Sequence, residues 1–528
     1  MSLGDRYKTE ITNEKWDAII IGSGISGLTS GRLLADAGKK VLILEKHFKF
    51  GGYTHTFKRN NYEWDVGIHY IGGNLHKNNS FIRRLFDYLS NNNLDWSRMD
   101  DIYDKMVFPD KTYDFVTGKQ LFIDQMISYF PKEENSIKKY IELVNQVFKS
   151  SLSYYSNKAL PGIIGSITYP FMSKSFLRFA KRTTKDVLSE IGCSQQLIGV
   201  LTGQWGDYGL PPGQSSFGVQ AMITRHYFEG GYYPIGGSRM IAETIIPGIQ
   251  SKGGKVVLST GVKTILTHNG NAIGVLLDNG DEIMSKKIIS SAGVKNTFEV
   301  LLNDENKTSN KSAPINQVDA STGYYCLHIG LNKSAKEIGL NNANLWVYPG
   351  YDHDQNLENY LLDNKQSYPV VFISFPSAKD PTWDKYHPDS ATIEVITVAE
   401  FSKHRQWEDT EWKKRGDEYD LLKENISQSL LESLYKHSPN TKGHVDYYEL
   451  STPLTSRDLA NYKEGELYGI NHTPQRFKQR WLRPETKIKN LYLTGQDIVT
   501  AGVSAAMMSG VITSSAILKK NLMKQFLH

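Results

Sequence analysis

The chain of 528 residues contains only two cysteines, Cys193 and Cys326. They lie far apart and form no C-x-x-C spacing, which excludes a disulfide framework and a thiolate zinc site. The histidines show no metal-ligand spacing, and no Ser/His/Asp order points to nucleophilic catalysis. We therefore predict no metal site. The scarcity of cysteine suits a reducing compartment.

The chain also lacks a dense block of lysine or arginine. Its net charge of +5 is spread over a large surface, so we expect no nucleic-acid partner. The first residues lack the apolar core of a secretory signal, so we expect a cytoplasmic protein that is not secreted. Residues 498–518 carry no charge and could cross a bilayer by length alone, but their Gly, Ala, Ser and Thr content favours a buried helix.

The most informative pattern present is a strand, a glycine-rich turn and a helix near the N-terminus. The predicted strand 17–21, which is apolar from Ala18 onward, enters Gly22-Ser-Gly24-Ile-Ser-Gly27. A helix is predicted to leave this turn, and a second strand, 40–44, ends in Glu45. Gly22 permits a tight turn, Gly24 lets the backbone approach a pyrophosphate, and Gly27 lets helix and strand pack closely. The pyrophosphate would bind at the helix N-terminus, and Glu45 would accept a ribose hydroxyl.

The fingerprint alone does not distinguish NAD from FAD, but the other end of the chain favours FAD. A predicted strand ends at Gly495, and a helix begins near Gly502 among small residues. Gln496 or Asp497 could bind ribityl or phosphate oxygens. The helix could direct its positive end at the flavin.

Seven segments carry a resemblance to a known family: GSGISGL, VLILEKHFKFGGYTHTF, DVGIHYIG, GGYYPIGGS, KKIISSAGVKNTFEVLL, FPSAKDPTW and NLYLTGQD. They resemble the flavoprotein family of carotenoid isomerases and phytoene desaturases, and within it most closely the retinol saturases. The motifs and the resemblance together predict an FAD site formed by Gly22, Gly24, Ser26, Gly27, Glu45, Lys46, Gly51, Gly52, Val262, Gly495, Asp497, Gly502 and Val503.

The predicted fold is a two-lobed α/β flavoprotein, with a Rossmann-type FAD-binding lobe and an interleaved substrate lobe of mixed sheet and helices (α+β), as in amine oxidases and phytoene desaturases. We assign 13–75, 230–320 and 455–528 to the FAD lobe, and 76–229 and 321–454 to the substrate lobe. Residues 80–220 are predicted to be mostly helical, and 262–284 to form a β-meander with turns at 269–270 and 279–280.

The resemblance implies that the protein saturates or isomerises a C=C bond of a long apolar polyene, such as a retinoid or carotenoid, by hydride transfer with flavin N5. His69 and Tyr70 are the candidate catalytic residues. Tyr232 and Tyr233 could line the substrate tunnel, although core packing explains them equally well. The alternatives are a desaturase or isomerase of another unsaturated lipid, an amine oxidase-like enzyme, and a non-catalytic lipid-binding escort protein.

Two further predictions concern how the reductant reaches the flavin and how an apolar substrate reaches the enzyme. No second strand-turn-helix fingerprint occurs, so NAD(P)H or another external reductant would have to visit the flavin, and the donor itself is not identified. The segment 163–185 mixes apolar side chains with Lys174, Arg178, Lys181, Arg182 and Lys185. Such a segment could lie on a membrane surface, or pack one face on the core.

Overall fold

The structure, a computed structural model, describes residues 3–303, 313–363 and 367–526. The strands, in chain order, are β1 Asp5–Arg6, β2 Ala18–Ile21, β3 Val41–Leu44, β4 Thr56–Arg59, β5 Tyr62–Asp65, β6 Trp96–Arg98, β7 Ile102–Val107, β8 Thr112–Val116, β9 Tyr232–Pro234, β10 Lys255–Leu258, β11 Val262–His268, β12 Asn271–Leu277, β13 Glu282–Met284, β14 Ile288–Ser290, β15 Gly323–Leu331, β16 Asn344–Val347, β17 Val371–Ser374, β18 Ala391–Ala399, β19 Val445–Ser451 and β20 Leu491–Leu493.

The α-helices, again in chain order, are α1 Ile25–Asp36, α2 Phe81–Ser90, α3 Lys119–Tyr129, α4 Glu134–Lys158, α5 Gly162–Ala180, α6 Thr184–Glu190, α7 Gln195–Leu201, α8 Phe217–Tyr227, α9 Arg239–Gln250, α10 Ala335–Ile338, α11 His353–Leu362, α12 Pro376–Lys379, α13 Trp383–Tyr386, α14 Asp417–His437, α15 Pro453–Ala460 and α16 Val503–Leu518.

The first large sheet is parallel and has the strand order β1-β10-β3-β2-β14-β20. All four residues of β2 and of β3 are buried, as expected for parallel strands with both faces covered. Helix α1 packs against α9 and α16. Strands from both ends of the chain and from its middle thus meet in one sheet, and the turns after β2 and β20 lie at its carboxyl edge.

The second large sheet has the order β19-β15-β18-β17-β16-β7-β8 and is antiparallel except for the pair β16–β7. Its longest pairing joins β15 to β18 over nine residue pairs, from Gly323↔Ala399 to Leu331↔Ala391. The two lobe assignments made from the sequence stay a prediction.

The β-meander is confirmed as β11, β12 and β13. The prediction of mostly helix over 80–220 is confirmed by helices α2 to α8. The exceptions are the short strand β6 and the hairpin of β7 and β8, which joins the second sheet. Strand β7 pairs with β16, which is more than 200 residues away in the sequence. This long-range pairing stabilises the strand, although the local sequence pattern does not predict one.

Within the uncharged run 498–518, residues 503–518 form helix α16, which is mostly buried from Met507 onward, in agreement with the prediction of a buried helix. Within α16, Gly510 approaches α1 so closely that a Cβ added there would lie 2.8 Å from the carbonyl oxygen of Ser26. In the described part of the chain, no helix is long and apolar enough to cross a membrane.

Candidate active site

One cavity of about 1680 Å³ runs between the two large sheets. A typical small-molecule pocket measures roughly 300–1,000 Å³, so this cavity has room for a dinucleotide and a second elongated ligand. Its wall combines the glycine-rich turns of the parallel sheet with aromatic side chains of the second sheet. The cofactor residues predicted from sequence that line it are Gly22, Gly24, Ser26, Glu45, Lys46, Gly51, Gly52, Val262, Gly495, Gly502 and Val503.

The first turn of the cradle behaves as the fingerprint requires. Gly22 has φ +97°, a conformation that favours glycine. A Cβ added at Gly27 would lie 2.2 Å from the carbonyl oxygen of Gly22, so helix and strand could not approach as they do. A Cβ at Gly24 would meet no protein atom closer than Ser291 Oγ, at 3.9 Å. Gly24 therefore opens toward the cavity, whereas Gly27 only permits packing and does not line it.

A second loop closes on the first. Gly51 donates its backbone N–H to the carbonyl oxygen of Ser23 at 3.2 Å, and a Cβ on Gly52 would lie 3.1 Å from Gly24 Cα. Glu45 holds Ser23, the residue to which the second loop binds. Its Oε2 accepts the Ser23 N–H at 2.8 Å and the Ser23 hydroxyl at 2.6 Å. The carboxylate stays on the cavity wall, where a ribose hydroxyl could reach it.

Two helices begin at this cavity without a capping side chain. Gly24 precedes α1 and Gly502 precedes α16, and neither residue offers a side-chain cap. Helix N-termini of this kind bind anionic groups through their free N–H groups. Near the start of α16, the Ser504 hydroxyl is buried on the cavity wall and has no hydrogen-bond partner among the residues that the structure describes. These open donors fit a long, phosphate-bearing cofactor that spans both helices.

Asp497 does not line the cavity, contrary to the role proposed for it in binding cofactor oxygens. Its Oδ2 accepts the Val294 N–H at 2.8 Å and its Oδ1 accepts the Ile470 N–H at 3.0 Å. The carboxylate is thus used to join three loops around the turn after β20. Its role would be to shape the cradle, and Gln496, which does line the cavity, is the polar neighbour placed to reach a ligand.

His69 lies on the cavity wall, bonded to a carboxylate that sequence reasoning did not identify. Its Nδ1 is 2.7 Å from Oε2 of Glu394, which is fully buried in β18. Burial would raise the pKa of Glu394, but the charges and hydrogen bonds of His69 and His328 outweigh it and lower that pKa to about 2. The ionised carboxylate holds a proton on Nδ1 and orients the ring, so Nε2 is the nitrogen available to a ligand.

Lys379 binds the backbone of the segment that carries His69. No role was predicted for this lysine, although it lies in the motif FPSAKDPTW. Its Nζ donates to the His69 carbonyl oxygen at 2.9 Å and to the Ser374 hydroxyl at 2.7 Å. Burial lowers the pKa of Lys379 to about 7, although Asp104, Glu394 and other acids oppose this. The lysine therefore fixes the backbone at His69.

Tyr70 also lines the cavity, but its hydroxyl points into a buried network. It donates to Asp104 Oδ2 at 2.8 Å, and a longer contact of 3.5 Å joins it to Asp207 Oδ2. Burial raises the pKa of Tyr70 well above its usual value, with the charges of Asp104 and Asp207 adding to the effect. Tyr70 is consequently a poor acid, and its hydroxyl is held mainly by Asp104.

Tyr232 and Tyr233 are not on the cavity wall, so the prediction that they line the tunnel is wrong and the core-packing alternative holds. Both are buried in β9. The Tyr233 hydroxyl donates to Asp65, and that of Tyr232 contacts His76 and donates to the Glu229 carbonyl oxygen at 3.1 Å. In contrast, Arg225 and His226, in the last turn of α8, do line the cavity.

Comparisons with known proteins identify the family. The profile of the flavin containing amine oxidoreductase family matches residues 25–518. All-trans-retinol 13,14-reductase of Danio rerio is 34% identical over 96% of this chain and 87% of its own length. Prolycopene isomerase 1, chloroplastic, of an Oncidium hybrid cultivar is 25% identical over 96% and 84%. Putrescine oxidase has the same fold, with a TM-score of 0.61 at 15% identity, covering 96% of this chain and 100% of the oxidase.

These matches confirm the predicted fold class, FAD as the cofactor and an enzymatic role, which removes the escort-protein alternative. The chain belongs to the flavin-containing amine oxidoreductase family and is an FAD-dependent oxidoreductase related to the all-trans-retinol 13,14-reductases.

Proposed function

We propose that the protein saturates one C=C bond of a long apolar polyene of the retinoid class. The main support for this proposal is that one continuous cavity joins the FAD cradle to a wall of aromatic side chains. That wall is formed by Tyr227, Tyr324, Trp346, Phe372 and Tyr468. Flat aromatic faces stabilise a conjugated chain by dispersion and burial. The names of the relatives, a retinol reductase and a carotenoid isomerase, support the same substrate class.

The residues of this chain would divide the work as follows. Bound FAD supplies flavin N5, which exchanges hydride with carbon. The turn residues Gly24 and Gly502 would hold the phosphates and the flavin end, and Asp497 would shape the loops between them. His69, oriented by Glu394, would bring its Nε2 to the polyene and deliver the proton that saturation requires at the neighbouring carbon.

The test is anaerobic mixing of the reduced holoprotein with three classes of acceptor: all-trans-retinol, a hydrocarbon carotenoid and an unsaturated fatty acid. We expect rapid flavin reoxidation by the retinoid. Reoxidation by the fatty acid alone would indicate another unsaturated lipid as substrate. Reduction of the oxidised flavin by an amine, with peroxide release, would favour the amine oxidase alternative. Adding NADPH or NADH to the oxidised protein tests whether either nucleotide is the electron donor.

We propose that a stripe of exposed side chains on α5 faces a membrane and gives the enzyme access to its apolar substrate. Four of its apolar side chains are largely exposed: Ile163 at 80%, Ile164 at 51%, Ile167 at 66% and Phe171 at 85%. Residues 163, 167, 171, 174, 178 and 181 follow one another at three- or four-residue spacing, so they share one face of the helix. Its first half is apolar, and its second half is Lys174, Arg178 and Lys181, all exposed.

The stripe lies next to an opening of the cavity. Helix α5 packs on α4, with the Asn157 amide donating to the Gly165 carbonyl oxygen at 3.0 Å. On α4, Phe148 and Leu152 are both exposed and part of the cavity wall. An apolar and basic stripe beside an apolar mouth fits a helix that inserts into an anionic membrane surface. The lipid substrate would then enter without crossing water.

Vesicle flotation tests this placement. We expect binding to vesicles that contain phosphatidylserine, and strong loss in the double variant Ile167→Asp/Phe171→Asp. The matched control is Leu421→Asp, because Leu421 on α14 is 62% exposed, much like Ile167. Charge reversal at Arg178 and Lys181 should weaken binding by about 1 kcal/mol per residue removed. Equal binding by the double variant and the control would contradict the proposal.

A further inference from the structure

Asp207 lies beside the aromatic wall of the cavity, and its carboxyl group makes few hydrogen bonds within the described part of the protein. Asp207 ends the short 3-10 turn Trp205–Asp207 between α7 and α8 and lines the cavity. Among the described residues, the hydrogen-bond contact of its carboxyl group with another side chain is the 3.5 Å one to the Tyr70 hydroxyl, which donates at the shorter distance of 2.8 Å to Asp104. Such a polar group facing an apolar cavity is poorly satisfied.

The hydroxyls of two neighbouring tyrosines bind the backbone and not the Asp207 carboxyl group. The Tyr324 hydroxyl donates to the Gly206 carbonyl oxygen at 3.0 Å, and the Tyr468 hydroxyl donates to the same oxygen at 2.9 Å. Both rings therefore present their faces, while their hydroxyls are occupied by the backbone of this turn. The Asp207 carboxyl is left as the polar group that these aromatic residues surround.

The charge state of Asp207 decides what it can recognise. Burial raises its pKa well above the usual value, and the charge of Asp104 adds to this effect. A neutral carboxyl group both donates and accepts a hydrogen bond. It therefore suits a neutral hydroxyl, and it disfavours a carboxylate near Asp104.

We infer that Asp207 is a specificity residue that binds the terminal hydroxyl of the polyene substrate, so that the enzyme prefers a polyene alcohol to a hydrocarbon of the same length. The inference rests on the proposed function and deepens it. Removing one hydrogen bond in an apolar site typically weakens binding about tenfold or more. The preference should thus disappear when the carboxyl is replaced by an apolar group.

The experiment compares the wild-type holoprotein with Asp207→Leu, Asp207→Asn and the control Asp354→Asn. Asp354 is a partly buried carboxylate away from the cavity wall. The two probes are all-trans-retinol and the same polyene ending in a methyl group. The readouts are KM and kcat for oxidation of the reduced flavin, together with the dissociation constant for the oxidised protein. Flavin content and melting temperature establish that each variant folds.

We expect wild type, Asp207→Asn and Asp354→Asn to bind the alcohol at least about tenfold more tightly than the hydrocarbon. In Asp207→Leu the preference should vanish through a higher KM for the alcohol. A preference retained by Asp207→Leu would overturn the inference. So would an equal loss of kcat on both polyenes in Asp207→Asn and Asp207→Leu with no change in KM for the alcohol, because Asp207 would then act as a proton donor and not as the site of the hydroxyl. If neither polyene reoxidised the wild type, the proposed function itself would have failed.

Discussion

A single methyl group at Gly24 separates the cofactor role of the glycine-rich turn from its structural role. In Gly24→Ala, the new Cβ would have its nearest protein neighbour at 3.9 Å, which is ordinary contact. The backbone there, at φ −59° and ψ 165°, suits alanine. We therefore expect the free energy of unfolding of the apoprotein to change by less than about 1 kcal/mol.

The cofactor should respond very differently, because the methyl group occupies space that the pyrophosphate needs. Moving the phosphates away from the helix N-terminus would weaken two or more charge-assisted hydrogen bonds, each about 1.5–3 kcal/mol. The expected loss is on the order of 3 kcal/mol or more, which is at least about a hundredfold in FAD affinity.

The assay is the ratio of flavin to protein absorbance after purification, followed by FAD titration of the apoprotein. Gly350→Ala is the matched control, since its Cβ would lie 3.5 Å from Asn356 Oδ1 and away from the cavity. We expect full flavin content in the control and little in Gly24→Ala. Full occupancy in Gly24→Ala, with wild-type affinity, would refute the assignment of this turn to the pyrophosphate.

Three further changes test other parts of the site. Gly27→Ala places a Cβ 2.2 Å from the Gly22 carbonyl oxygen, so the apoprotein should lose about 1–3 kcal/mol in urea unfolding; unchanged stability would contradict the packing. Glu394→Gln should lower the rate of polyene reduction by about a hundredfold and change its pH profile while flavin content stays normal; an unaltered rate would remove His69 from the proton transfer. Lys379 has a pKa of about 7 in the folded state and 10.5 when exposed, so the unfolded state binds more protons between these values and wild-type stability should rise with pH there. Lys379→Met should lack this rise relative to wild type when the two are unfolded in urea at pH 7 and pH 9; parallel behaviour would contradict the burial.

The cofactor half of the site was predictable because its chemistry is local. Gly22, Gly24 and Glu45 lie within 24 residues, and strand, turn and helix each leave a pattern in the sequence. The boundaries of β2 and β3 differ from the predicted ones by a single residue, and α1 follows the turn as predicted. The role of Asp497 was misjudged because a carboxylate beside a ligand turn can equally bind backbone N–H groups, and only the fold shows which it does.

The substrate half was much less predictable because long-range pairing assembles it. Glu394 reaches His69 across 325 residues, and Asp207 meets Tyr70 across 137. Neither acid stands in a recognisable spacing. Lys379 lies in the motif FPSAKDPTW, which indicated the family without indicating a role. For Tyr232 and Tyr233 the sequence left tunnel lining and core packing equally open, because aromatic residues beside glycines look alike in a wall and in a core.

The mass of the product tests the central claim most directly. Reduced holoprotein, kept free of oxygen and of other reductants, is mixed with an excess of all-trans-retinol, and the retinoid is then analysed by mass spectrometry. We predict a product with two added hydrogen atoms, formed in an amount equal to the flavin that is reoxidised. A retinoid of unchanged mass with the flavin still reduced would contradict saturation of the polyene, and a change of double-bond geometry in that retinoid would indicate an isomerase instead.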